Sequence, residues 1–93
     1  MEIVIDWEML KDEESFYNSL LPQLSAPEWH GRNLDALADS IITGTINDVE
    51  PPYTITSLNE ASVVVGMKGF QVLVLEVLRE AEQSGREIHV LSC

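Results

Sequence analysis

The sequence predicts an α/β domain of two layers, in which a three-stranded parallel sheet packs against helices. Three observations carry that expectation. The runs MEIVID, YTITS and EIHVL have the β-branched or alternating character of strands. The stretches between them carry helical spacing or helix caps, and strands separated by helices pair in parallel through right-handed crossovers. Ninety-three residues, 45% of them apolar and 23% charged, suit one domain spanning 1–93 with a real core.

Taken in order, residues 1–6 read as a buried strand because nothing in them repeats at 3.6. Asp12 then caps a helix whose first turn holds Glu13 and Glu14 at the positive end of the dipole. Phe16, Leu20 and Leu24 supply its inner face, and Pro22 is expected to break or kink it near Leu21. Ser25, Ala26 and Pro27 connect to a glycine-containing loop, after which Asn33 caps a helix over 34–43. Leu34, Leu37 and Ile41 fall within about 60° of one another on that helix, with Asp35 and Asp39 pointing away. Gly44 is expected to end it as a left-handed cap.

Residues 45–52 form a loop closing on Pro51-Pro52, and 53–57 alternate like a second strand. A brief helix is expected over 58–65, stopped by Gly66. Over 67–84 the positions Phe70, Leu73, Val74, Val77, Leu78 and Ala81 fit one helical face, with Gly85 as its cap. Residues 87–91 close the sheet. Trp7, Phe16 and Phe70 read as core.

The net charge is −11, from sixteen acids against five bases that never cluster. Phosphate backbones repel such a surface, which disfavours direct nucleic-acid binding and points to a cationic protein partner. The single cysteine, Cys93, has no intrachain partner and fits a reducing compartment. MEIVIDWEML has neither a basic leader nor a long apolar run, so the expectation is a cytoplasmic protein with no membrane span. His30, His89 and Cys93 lack zinc-ligand spacing, and no metal or cofactor is expected.

One local feature runs against helix-building rules. Asp35 and Asp39 stand four apart, and like charges at that spacing weaken an isolated helix by about 0.2–0.5 kcal/mol. The N-terminal dipole explains Asp35. Asp39 has no such local reason, and a broken rule without evident gain marks either a solvated face or a functional site.

The stretch Pro27-Glu28-Trp29-His30-Gly31-Arg32-Asn33-Leu34-Asp35-Ala36-Leu37-Ala38-Asp39 resembles the barstar family of intracellular ribonuclease inhibitors, whose pattern is P-E-aromatic-x-G-x-N-L-D-A-L-x-D. The match continues through Leu78-Arg79-Glu80-Ala81 and the strand led by Gly85, nearly the whole chain. The resemblance implies a barstar-like fold and a plug for a ribonuclease active site. The aspartate matching Asp39 takes the place of a substrate phosphate, and that matching Asp35 contacts the enzyme's backbone and substrate-binding loops. The aromatic matching Trp29 packs on the catalytic histidine, and the acid matching Glu80 adds a peripheral charge pair. Trp29, His30, Asn33, Asp35, Ala38, Asp39, Ile42, Thr43, Gly44 and Glu80 are thereby the candidate partner-binding residues, and the free chain is expected to be a monomer.

The departures are specific. Ala38 stands where the family's namesake has tryptophan, Arg32 replaces an acid, His30 an aromatic, and Ser84 a second peripheral acid. Thr43-Gly44 comes one residue late, so either the helix is longer by one position or Ile42 takes the threonine's place. Two inhibitory readings follow: an inhibitor of a cationic secreted ribonuclease, or an immunity protein against a different nuclease toxin. A carboxylate-pair enzyme is disfavoured, because adjacent positions on an exposed helix give no asymmetry to drive two pKa values apart. A plain acidic interaction module is the remaining alternative.

Overall fold

A computed structural model describes residues 2–44, 47 and 49–92. Met1, Cys93 and the loop positions Thr45, Ile46 and Asp48, each assigned a place by the sequence, lie outside the described residues. Strand β1 (Glu2–Asp6) leads through a 3₁₀ turn (Trp7–Met9) to α1 (Glu13–Gln23). The short helix α2 (Leu34–Ala38) runs into a π-helical turn (Asp39–Thr43), and β2 (Tyr53–Leu58), α3 (Lys68–Gln83) and β3 (Ile88–Ser92) follow. The sheet is wholly parallel, as its sequence pattern predicts, and its strands lie in the order β1-β2-β3.

One face of this sheet is apolar and covered. Register places Ile3 beside Ile55 and Ile55 beside Val90, while Ile5 pairs with Ser57 and Tyr53 with Ile88. These alternate residues are buried, apart from the partly covered Val90, and meet the inward residues of the helices. The other face carries Glu2, Thr54 and His89 in one row, a composition that suits water. Thr56 on that side donates its hydroxyl to Glu2 Oε2 at 2.8 Å.

An aromatic cluster joins sheet to helices. Trp7 stacks on Phe16 at 5.7 Å, and Phe16 meets Tyr17 and Phe70 edge to face at 5.0 and 5.1 Å. The Trp7 indole Nε1–H donates to Ser57 Oγ at 2.9 Å, so that buried donor is satisfied, while the Tyr17 hydroxyl is buried without a partner among the described residues. Burial, with Glu13 adding to it, pushes the Tyr17 phenol up to about 12.

Both outer strands have backbone groups occupied by side chains. Gln23 accepts from Val4 N–H and donates to Val4 C=O, each at 2.8 Å, as a neighbouring strand would. Glu82 accepts from Val90 N–H at 3.0 Å. Such contacts blunt the tendency of open edges to recruit further strands.

Three expectations change. Asp12 caps α1 through Ser15 N–H as foreseen, but the helix continues past Pro22 to Gln23. Pro22 sits in the last turn, where its missing N–H forfeits at most one ladder bond. The helix expected over 58–65 is two 3₁₀ turns, Glu60–Ser62 and Val65–Met67, with Gly66 inside the second. Asn59, with φ 56°, ends β2 by a left-handed bend that leaves too few residues for an α-helix. On α3, Leu73 is 48% exposed although Val74, Leu78 and Ala81 are buried.

Ser57→Ala should leave the Trp7 indole N–H buried without an acceptor and destabilise the fold by about 1–3 kcal/mol. Urea denaturation should show a lower midpoint at unchanged slope.

Candidate functional site

The ridge begins in the connection after α1. Ser25, at φ 51°, redirects the chain, and Ala26 N–H donates to Leu21 C=O at 3.0 Å. Proline at 27 then opens a tight turn closed by His30 N–H to Pro27 C=O at 2.9 Å. Trp29, third in that turn, is lifted into solvent and is 74% exposed.

His30 is placed differently from its expected role on the binding surface. It is 6% exposed, and its Nδ1 lies 2.7 Å from Gly31 C=O. A carbonyl only accepts, so Nδ1 carries the hydrogen. Nε2 is buried without a partner among the described residues. The ring anchors the turn from inside while its neighbour points out. Arg32, donating to Asn18 Oδ1 at 2.6 Å, ties the end of the loop to α1.

Asn33 caps α2 by accepting from Ala36 N–H at 2.8 Å. Close packing limits what fits before it: a Cβ on Gly31 would stand 3.0 Å from that of Ala36. Leu37 and Ile41 are fully buried, Leu34 partly so, as the helical arc requires. The opposite side leaves Asp35 and Asp39 exposed, Ala38 and Ile42 half-buried and Thr43 exposed.

The continuous helix expected over 34–43 is replaced after Ala38 by the π turn. Its closing bond runs from Gly44 N–H to Asp39 C=O at 3.1 Å, five residues apart. Ser40 contributes to the change: its hydroxyl donates to Leu37 C=O at 3.0 Å, the acceptor that an α-helix would give to the amide of Ile41. A π turn holds one residue more than an α turn. That extra place accommodates the late arrival of Thr43-Gly44.

Gly44 ends the turn with φ 88° and ψ −173°. This is the extended, positive-φ region that only glycine occupies readily, and not the left-handed helical cap expected. Space imposes the same choice, since a Cβ here would lie 2.6 Å from Arg86 Cζ. Gly44 is therefore buried under a guanidinium. Arg86 Nη1 donates to Ile41 C=O, and Nη2 meets Glu50 Oε2 at 2.8 Å. Burial raises the phenol pKa of nearby Tyr53, with Arg86 opposing and Glu50 adding to the shift.

The structure thus gathers Trp29, Asn33, Asp35, Asp39 and Thr43 as exposed positions on one continuous segment, while Glu80 is exposed on α3, which packs beside α2. His30 and Gly44 lie beneath the surface as supports. Sequence reasoning did not single out Arg86, Glu50 or Ser40, and no local pattern could have joined Arg86 to a carbonyl 45 residues earlier. Neither Asp35 nor Asp39 lines the clefts beside Val4 and Gln23, between Glu60 and Glu82, or between Leu21 and Arg32. Among those residues, no three His, Cys, Asp or Glu side chains are grouped to hold a metal. No helix of the described residues is long and apolar enough to cross a membrane.

The profile of the family described as Barstar (barnase inhibitor) matches residues 1–92. The chain belongs to the barstar family. A relative named "Putative ribonuclease inhibitor YrdF", from Bacillus subtilis (strain 168), is 33% identical over 82 residues, 88% of this chain and 86% of that protein. Barstar-family membership supports a ribonuclease-inhibitor-type, non-catalytic role and implies a ribonuclease partner. The three-stranded parallel sheet and its helices are the α/β architecture expected of a barstar-like domain.

Gly44→Ala should force an unsuitable φ and displace Arg86, costing about 1–3 kcal/mol of stability. Thermal unfolding of the variant beside wild type checks this.

Proposed function

We propose that this chain is a cytoplasmic, monomeric inhibitor that blocks the active site of a cationic ribonuclease one to one, using α2, the π turn and the preceding loop. The observation that carries the reading is the exposure of Asp35 on α2 and Asp39 at the start of the π turn that continues it, in a barstar-family chain. In the cleft of such an enzyme Asp39 takes the place of a substrate phosphate among arginines and a histidine, and Asp35 meets backbone donors. Their repulsion, a small liability in the unbound chain, is relieved there by opposite charge.

Trp29 supplies the apolar anchor. A rigid, exposed indole beside a charged centre is the composition of an interface hot spot. Its importance rises because Ala38 offers little area. Asn33, Ala38, Ile42 and Thr43 border the two carboxylates, His30 and Gly44 hold the shape, and Glu80 adds a charge from α3.

A second reading, immunity against a different nuclease toxin, is favoured by one observation. The π turn and Ala38 alter the ridge around Asp39, so the cleft it fits need not match that of barnase. Titration into barnase and a panel of other cationic secreted ribonucleases separates the two: loss of activity at one equivalent supports the first, and inhibition of none supports the second.

Asp39→Ala should weaken the complex by about 2 kcal/mol or more, the size found for central interface residues in general. Glu80→Ala, a rim change, should cost about 1 kcal/mol or less. Calorimetric titration of both variants checks this, and equal small losses would contradict the central plug. The net charge of −11 should also make association fast and steeply salt-dependent. Stopped-flow mixing should show the association rate falling with ionic strength while dissociation changes little.

A further inference from the structure

We propose that Arg86 is a positioning residue for the acidic ridge, a clamp whose guanidinium holds the π turn in the shape that presents Asp39. The proposal rests on the inhibitory reading above for its purpose and on geometry for its mechanism.

Carbonyls at the end of a helix have no partner further along the same helix. The π turn closes through the Asp39 carbonyl, and the Ile41 carbonyl, two residues on, receives its hydrogen bond from Arg86 Nη1. The same guanidinium reaches Glu50 through Nη2 at 2.8 Å. A planar fork can hold both acceptors at once, which a lysine ammonium on a flexible stem cannot do with the same fixed geometry. Beneath it lies Gly44, whose missing Cβ leaves the space the guanidinium occupies.

The clamp's own direction is set by the backbone. Arg86 sits between Gly85 at φ 85° and Glu87 at φ 61°, in the bend from α3 into β3. Its side chain is 19% accessible, against 51% for Glu50, so the arginine is the inner member of the pair. Three chain segments meet there: the end of the π turn, the stretch leading to β2 and the bend between α3 and β3. One cation also faces the negative end of the α2–π segment, where a helix dipole favours it.

The purpose follows from Asp39 being the first residue of that turn. Short irregular turns open at low free energy, and an opening turn would spread the carboxylate over several positions. Holding the turn before the partner arrives reduces the ordering required on binding. The aspartate would contribute affinity in proportion to how well Arg86 fixes it.

The test uses the whole chain as wild type, R86K, R86Q and E50Q. R86Q should speed hydrogen exchange at the Gly44 amide about tenfold, with the amides of Val74 and Leu78 unchanged relative to global unfolding. R86K should recover part of that protection, and E50Q should lose less than R86Q. With barnase as the probe, R86Q should shorten the lifetime of the complex about tenfold. That loss should nearly vanish in an Asp39→Ala background and persist in Glu80→Ala, the sign of a residue acting through Asp39.

Unchanged exchange at Gly44 overturns the proposal, as does an R86Q effect that simply adds to Asp39→Ala. A role in stability alone would speed all three amides together, and that result also overturns it. If R86Q does not fold, R86K, which should lose part of the Gly44 protection and part of the complex lifetime because it cannot hold both acceptors, carries the same comparison. A wild-type chain that fails to bind barnase counts against the preceding reading for that enzyme, while the exchange measurement still decides the clamp.

Discussion

A three-stranded parallel sheet with one apolar face has a narrow solution: every helix must help cover that face, and the other must stay compatible with water. Ile3, Ile55 and Val90 form the central row across the sheet, with Trp7 and Phe16 extending the cover toward α3. In a domain this small the buried fraction leaves little surplus, so the helices have few residues to spare for anything but packing. Edge groups are managed by single side chains, Gln23 and Glu82, where a larger sheet would add strands.

That constraint shapes the ridge. Helix α2 contributes Leu37, and the π turn contributes Ile41, to the core. Leu37, Ile41 and the buried Ser40 hold this segment of ten residues from inside, Leu34, Ala36, Ala38 and Ile42 are half-buried, and Asp35, Asp39 and Thr43 are left outward. Asp35 and Asp39 occupy that outward side at small cost because water screens them. A capped, buried stripe on one side and a hydrated acidic stripe on the other is an economical way to hold charge rigidly.

The supports of the ridge are polar contacts, one local and the others made at a distance along the chain. His30 locks the turn that raises Trp29, Arg32 ties the loop to α1, and Arg86 joins the π turn to two other segments. The family match runs over residues 1–92 and includes the ridge. Two of the departures, Ala38 and the extra residue of the π turn, concern what surrounds Asp39.

The amino-acid sequence by itself determined the order of strands and helices, the capped starts at Asp12 and Asn33, the buried arc of Leu34, Leu37 and Ile41, and the outward placement of the two aspartates. These are readable because periodicity, caps and β-branching act between residues a few places apart. Only the tertiary structure decided that α2 stops at Ala38 and continues as a π turn, that His30 turns inward while Trp29 turns out, that Leu73 leaves the core face, and that Asn59 divides the segment after β2. Helical spacing cannot distinguish an α turn from a π turn when one hydroxyl, that of Ser40, competes for a backbone acceptor. Nor can it foresee an arginine whose partners, Ile41 and Glu50, reach it only after the chain has folded back through α3.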